Sequence, residues 1–141
     1  FGKRLSKLEY LARYRVADLF LDTLPYNAGA TASDALRMGL PVLTCLGNSL
    51  VSRMGASLLN AVNLPELIQT SQEEYESFAI ELALDPEKLK IIKNKLESNL
   101  PTALLYDTPL FTRHLENAYL AMYDRYQKGL DSEHIYVQYD K

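Results

Sequence analysis

The sequence predicts an α/β fold, with a small parallel sheet, helices on both of its faces and a helical C-terminal half. Three observations predict it. Leu19–Thr44 reads strand, loop, helix, strand, and its first strand is a continuous apolar run of the kind buried on both faces of a parallel sheet. Strands and helices alternate over the first half, the pattern of parallel strands joined by crossover helices. After residue 70 the punctuation changes to helix starts alone: Ser71 ahead of Glu74, Asp85-Pro86 and Thr108-Pro109.

In order, residues 5–16 place Leu5, Leu8, Leu11 and Ala12 on one helical face and Lys7, Tyr10 and Arg13 on another. Spacing alone leaves two readings of the second face: a solvated surface, or a set of groups leaning over the carboxyl end of the next strand toward a ligand. The strand Leu19–Leu21 is closed by Asp22-Thr23, and a loop with Pro25, Asn27 and Gly29 follows. A helix of about two turns then runs from Thr31 to Gly39. Thr31 has the capping position, Asp34 lies close to the third helical place, and Gly39 is the stop. Val42–Thr44 is the next strand.

A helix over residues 50–62 has Val51, Met54, Leu58, Leu59 and Val62 as its inward set, and Asn63-Leu64-Pro65 breaks it. Glu66-Leu67-Ile68 is a candidate third strand. Ser71–Glu74 reads as a capping box, with Tyr75, Phe78, Ala79 and Leu82 as the stripe behind it. The next helix starts at Asp85-Pro86 and turns Leu89, Ile92, Leu96 and Leu100 inward. The last, about 109–128, carries Phe111, Leu115, Ala118, Tyr119, Met122 and Tyr126 and ends at Gly129. The tail from Leu130 has no period and is expected to be extended or frayed. We therefore expect a domain over residues 1–129 and a tail over 130–141. A doubly wound sheet has five or six strands, so the missing ones are expected upstream of Phe1. The chain has no initiator Met and begins mid-pattern, as a piece of a longer protein would.

Composition narrows the function. With 141 residues, 48% apolar and 23% charged, the chain is long enough to bury one core. A net charge of −3 implies no broad basic face, so nucleic acid is not an expected partner. No apolar run spans a membrane, and Phe1–Tyr10 has no signal-peptide core. Cys45, the only cysteine, excludes an internal disulfide and is consistent with a cytoplasmic protein. At the end of an apolar strand it reads as a small buried residue, and neither His114 nor His134 supports a catalytic thiol.

Ligands of open parallel sheets sit outside the carboxyl ends of the strands. That edge gathers backbone amides at Gly29, Ala30 and Thr31, hydroxyls at Thr31 and Ser33, the Asp34 carboxylate, and the cations Lys7, Arg13 and Arg53. Free amides at a helix N-terminus with nearby cations hold phosphate, so the set suits a nucleoside diphosphate. Thr31 and Asp34 read equally as a plain helix cap. There is no P-loop, no G-x-G-x-x-G and no metal-ligand spacing.

The run YLARYRVADLFLDTLPYNAGATASDALRMGLPVLT, with SLVSRMGASLL and LPELI after it, resembles the C-terminal part of the catalytic region of the O-linked N-acetylglucosamine transferase family. It is especially similar to bacterial members that carry tetratricopeptide repeats. The stretches 72–96 and 108–126 resemble that family's closing helices, so the likeness spans residues 7–126. It implies a Rossmann-like C-terminal lobe of a two-Rossmann-domain glycosyltransferase that is metal-independent, inverting and without cofactor. The implied donor is a UDP-sugar, commonly UDP-N-acetylglucosamine, and the implied acceptor is Ser or Thr of a protein. An N-terminal catalytic lobe and tetratricopeptide repeats would complete it.

By position, Lys7, Gly29, Ala30 and Thr31 match the diphosphate site. Tyr10, Arg13 and Asp34 match the nucleoside and ribose site, with Tyr10 where the family often has His. No catalytic residue is assigned in this chain. The family's His-Thr-Thr is here Gly29-Ala30-Thr31, so one imidazole and one hydroxyl are missing from the diphosphate site. Three function readings follow: a donor-binding lobe, a lobe that has lost donor binding and scaffolds protein contacts, or a lobe for another nucleotide-sugar.

Overall fold

In the computed structural model, which describes residues 2–137, the strands and helices alternate from Lys7 to Gln69 and only helices follow. The first helix, α1, is Lys7–Ala12 and continues as a 3-10 turn over Arg13–Val16. Ser6 caps it: its hydroxyl accepts from Glu9 N, and Glu9 reaches back to the Ser6 amide. The helix buries none of its residues. Leu8 is 81% exposed, so the face of Leu5, Leu8, Leu11 and Ala12 is not a core face among the described residues.

Strand β1 is Phe20–Leu21, helix α2 is Ala30–Arg37, strand β2 is Val42–Cys45 and helix α3 is Met54–Ala61. A 3-10 turn over Val51–Arg53 leads into α3. Strand β3 is Ile68–Gln69, so the expected strand at Glu66–Ile68 is displaced: Pro65–Leu67 forms a 3-10 turn and the pairing starts at Ile68. Pro65 has no amide to give to a ladder, which pushes the strand start beyond it. The sheet is parallel, in the order β1-β2-β3, with Phe20 opposite Val42 and Thr44 opposite Ile68. All four β2 residues are buried. Successive side chains point to opposite faces, so both faces of the central strand are covered. Leu36, Leu43, Leu59, Leu64, Leu67, Leu82 and Leu96 form the largest buried set around it.

Helices α4 (Gln72–Leu84) and α5 (Pro86–Asn99) follow. Ser71 caps α4 by accepting from Glu74 N, but the expected capping box is only half made. The Glu74 carboxylate binds the amide and hydroxyl of Thr70 instead. Asp85 caps α5 ahead of Pro86, as the sequence predicts, by accepting from Lys88 N.

The chain divides into two compact units, 1–103 and 104–141. The second contains α6, Thr108–Gln127. Its cap is Asp107 rather than Thr108: the Asp107 carboxylate accepts from Leu110 N, and Pro109 takes the second helical place. Aspartate outcompetes threonine as an acceptor there, and proline is equally at home in the first turn. Gly129, at φ +64°, ends the helix. Residues 131–137 have no regular structure, and the last four residues of the tail lie outside the described residues.

Leu43→Ala removes a fully buried side chain from the central strand and is expected to lower unfolding free energy by about 2–5 kcal/mol. Leu84→Ala, at a position 79% exposed, is expected to change it by less than about 0.5 kcal/mol. Urea unfolding of the two variants measures both.

Candidate functional site

The site is built on the turn that leaves β1. Asp22, at the carboxyl end of that strand, is 4% exposed and has both carboxylate oxygens engaged. Oδ1 accepts from Thr23 N at 2.8 Å and from Ala28 N at 2.7 Å, the two ends of the turn. Oδ2 accepts from the Thr44 hydroxyl of β2 at 2.7 Å. The Asp22 carbonyl accepts from the Tyr75 hydroxyl of α4 at 2.9 Å. Asn27, 1% exposed, closes the turn from inside. Its side-chain amide donates to Thr23 O at 3.0 Å and accepts from Gly55 N at 3.4 Å, while its backbone amide donates to Val51 O at 3.0 Å.

This turn delivers the chain to α2 earlier than expected. Gly29 is the N-cap and Ala30 the first helical residue, so the predicted cap at Thr31 with Asp34 at the third place is wrong. Ala28 is already tied to Asp22, which brings the chain into helical geometry before Thr31. Thr31 is therefore inside the helix and exposed, and no side chain caps α2. The amides of Ala30, Thr31 and Ala32 precede the first intrahelical bond, Ser33 N to Gly29 O. They form the positive end of the helix dipole with no side-chain acceptor. Gly29 has φ −98°, and a Cβ there would meet only Met54 Cγ at 3.7 Å.

Asp34 is three residues beyond Thr31 and so shares its helix face. Its carboxylate pairs with Lys7 Nζ at 3.0 Å, which ties α1 to α2 at the site. Lys7 also lies 5.2 Å from the centre of the Tyr10 ring. Lys7, Tyr10 and Arg13 line one open groove of about 480 Å³, together with Lys3, Arg4 and Leu5. The ligand-facing reading of that helix face thus has a surface to act on. Within it, Arg13 is turned toward the N-terminal segment and donates to Lys3 O at 3.0 Å rather than to Asp34. Arg53 is elsewhere, in a separate groove of about 750 Å³ with Asn48, Ser57 and Asn60.

Tyr10 and Tyr14 share a hydrogen bond between their hydroxyls and pack edge to face. Burial first, then the bond to Tyr10 and the nearby charges of Tyr10 and Asp34, push the Tyr14 phenol well above its ordinary value. Burial, followed by the charges of Asp22 and Cys45, raises that of Tyr75 as well. Cys45 is 5% exposed, and burial, with Glu74 and Glu73 nearby, pushes its thiol up, which fits a packing residue.

The structure therefore brings Lys7 to Asp34, places Tyr10 and Arg13 in the groove that Lys7 lines, and puts Gly29, Ala30 and Thr31 at the open start of the helix that carries Asp34. Sequence reasoning put Asp22 at this edge but missed what it holds, and missed Asn27, Gly55 and Tyr75 as its supports. An aspartate at a strand end, five residues before an Asn-Ala-Gly turn, is a local signal for an anchored turn. Nothing local points to Tyr75, 53 residues away.

A family model, glycosyl transferase family 41, matches residues 1–115. The chain belongs to that family. It is 35% identical over 121 residues to a probable UDP-N-acetylglucosamine–peptide N-acetylglucosaminyltransferase SPINDLY of Hordeum vulgare, covering 86% of this chain and 13% of that protein. It is 32% identical over 135 residues to the UDP-N-acetylglucosamine–peptide N-acetylglucosaminyltransferase of Caenorhabditis elegans, covering 96% of this chain and 12% of that protein. A solved structure of a mutant O-GlcNAc transferase from Thermobaculum terrenum superposes with a TM-score of 0.81 at 36% identity, over 89% of this chain and 24% of that one. The small three-stranded sheet and its helices thus have the Rossmann-like fold of family 41, and the chain spans a small fraction of the length of the relatives it matches.

Two outcomes follow. A Cβ at Gly55 would lie 2.5 Å from both Asp22 Oδ2 and Thr44 Oγ1, so Gly55→Ala is expected to cost about 1–3 kcal/mol. Gly29→Ala is expected to be near neutral, and denaturant midpoints separate the two. The raised phenols of Tyr14 and Tyr75 keep their protons in the folded state after the unfolded chain has lost its own. Their contribution is complete below about pH 10 and is lost as pH rises above it. Thermal midpoints should hold up to about pH 10 and fall as pH rises from about 10 to about 12. The double variant Tyr14→Phe/Tyr75→Phe should show a shallower fall.

Proposed function

We propose that this chain is the donor-binding lobe of a protein glycosyltransferase that moves N-acetylglucosamine from UDP-N-acetylglucosamine to Ser or Thr hydroxyls. The observation that carries the reading is the uncapped start of α2 at Ala30 and Thr31, on the same helix as the Asp34 carboxylate that holds Lys7. In this reading Lys7, Gly29, Ala30 and Thr31 take the diphosphate, and Tyr10, Arg13 and Asp34 take the nucleoside. The names of the relatives, which are peptide N-acetylglucosaminyltransferases, support the donor and the acceptor class.

The chemistry of such a lobe is charge stabilisation. Negative charge builds on the leaving diphosphate as the sugar–oxygen bond breaks. The amides of Ala30 and Thr31, the helix dipole and the Lys7 ammonium face that charge and are already oriented before it forms. Lys7 then exchanges its partner, from the Asp34 carboxylate to a phosphate oxygen, and Asp34 is released to accept from ribose hydroxyls. We place the general base and the acceptor groove in an N-terminal catalytic lobe and tetratricopeptide repeats outside this chain. The reaction is inverting and metal-independent, and the setting is the cytoplasm. No helix among the described residues is long and apolar enough to cross a membrane. Residues 1–129 act as the lobe with its closing helices, and 130–141 as a tail.

A second reading, a lobe that scaffolds protein contacts without holding donor, is favoured by Gly29-Ala30 alone, where relatives of this type bring an imidazole and a hydroxyl. Calorimetry of the full-length protein with UDP decides between them. Heat with saturation below millimolar UDP is expected, and none at millimolar UDP rejects the donor reading. The variant Gly29→His/Ala30→Thr adds two donors where a side chain at 29 meets no obstacle. Each is worth about 1–3 kcal/mol if well placed, so UDP binding should tighten by at least about tenfold. A scaffold would be indifferent to the change.

A further inference from the structure

We propose that Asp22 is the positioning residue of the diphosphate site, acting through the backbone of residues 23–30 rather than by touching the donor. The inference rests on the donor-lobe reading above. With Gly29 and Ala30 in place of side-chain donors, the site depends on where the amides point. Those amides are aimed by a turn whose two ends, Thr23 N and Ala28 N, converge on one oxygen of Asp22. The other oxygen is fixed to β2 through Thr44, and the Asp22 carbonyl is fixed to α4 through Tyr75. Asn27 adds a brace from the turn to α3 through Gly55. The turn is thereby referenced to the central strand and to two helices that follow it in sequence, α3 and α4.

The charge of Asp22 argues against a direct role. A buried carboxylate next to a diphosphate site repels the ligand, so its presence is explained by its acceptor geometry and not by its sign. Asparagine keeps an oxygen for Thr23 N and Ala28 N and can donate to the Thr44 hydroxyl; alanine keeps neither. The Asn variant therefore separates geometry from charge, and Leu43→Ala, on the neighbouring strand, separates both from loss of stability.

The test is made in the full-length protein, with UDP as the probe, by calorimetry, donor KM and kcat, and amide hydrogen exchange over residues 28–31. Asp22→Ala is expected to raise the UDP Kd and the donor KM by about tenfold or more and to speed exchange at 28–31. Asp22→Asn and Leu43→Ala should stay within about threefold of the unaltered protein in Kd. In the Gly29→His/Ala30→Thr background the loss from Asp22→Ala should shrink, because side chains then share the load. Should Asp22→Ala not fold, Asn27→Ala loosens the same turn and is expected to raise the Kd at least about fivefold. The proposal is overturned by a folded Asp22→Ala, or in its place Asn27→Ala, that binds UDP like the unaltered protein. It is also overturned by Asp22→Asn losing as much as Asp22→Ala. If the unaltered protein does not bind UDP, the donor reading itself fails and takes this inference with it, whereas equal binding by unaltered and Ala proteins removes the inference alone.

Discussion

The buried carboxylate of Asp22 is the interaction on which the rest of the site depends. A charged group at 4% exposure is costly to bury without partners, and here both oxygens and the residue's own carbonyl are engaged by β2, α4 and both ends of one turn. Every consequence runs outward from it. The turn is closed, so α2 starts at Ala30. Because α2 starts there without a side-chain cap, its first amides have no side-chain acceptor. Because Asp34 follows on the same helix, Lys7 is drawn across from α1 to pair with it, and Lys7 also lines the groove with Tyr10 and Arg13. Gly55 is a glycine because this carboxylate and Thr44 fill the space where its side chain would be.

Much of the architecture was legible because its determinants are local. The alternation of strands and helices is one such signal, though the apolar run Leu19–Leu21, expected to be covered on both faces, is the edge strand with Leu21 55% exposed, and the doubly covered strand is β2. Asp85-Pro86 signals a helix start with two independent preferences, and α5 begins there. Where the reading failed, two residues competed for one role. Thr31 and Thr108 were the expected caps, yet Gly29 and Asp107 take those places. In the first case the Asp22 carboxylate, itself fixed to β2, accepts from the Ala28 amide and sets where the helix begins. In the second a stronger acceptor lies one residue earlier. Glu74 fits a capping box by spacing and still turns to Thr70, because the same carboxylate can take both the amide and the hydroxyl there.

The site was half legible for the same reason. Lys7, Tyr10 and Arg13 are related by helical spacing, and they do share a groove. Only one of their pairings follows that spacing, Tyr10 with Tyr14; Lys7 goes to Asp34 and Arg13 to the backbone of Lys3. The supports of the turn come from Thr44, Gly55 and Tyr75, which are brought together only by the crossovers of the sheet. A glycine in a helix and a tyrosine on an amphipathic stripe look like packing residues until the fold sets them against a buried carboxylate.

The central claim is that backbone at the start of α2, held by Asp22, takes the donor diphosphate. A crystal structure of the full-length protein with UDP bound tests it most directly, through the distances from the phosphate oxygens to Ala30 N and Thr31 N. The account predicts at least one phosphate oxygen at about 2.7–3.2 Å from each amide, with the Asp22 bonds to Thr23 N and Ala28 N intact. A diphosphate seated away from these amides, or a turn that has released Asp22 to receive it, would contradict the account.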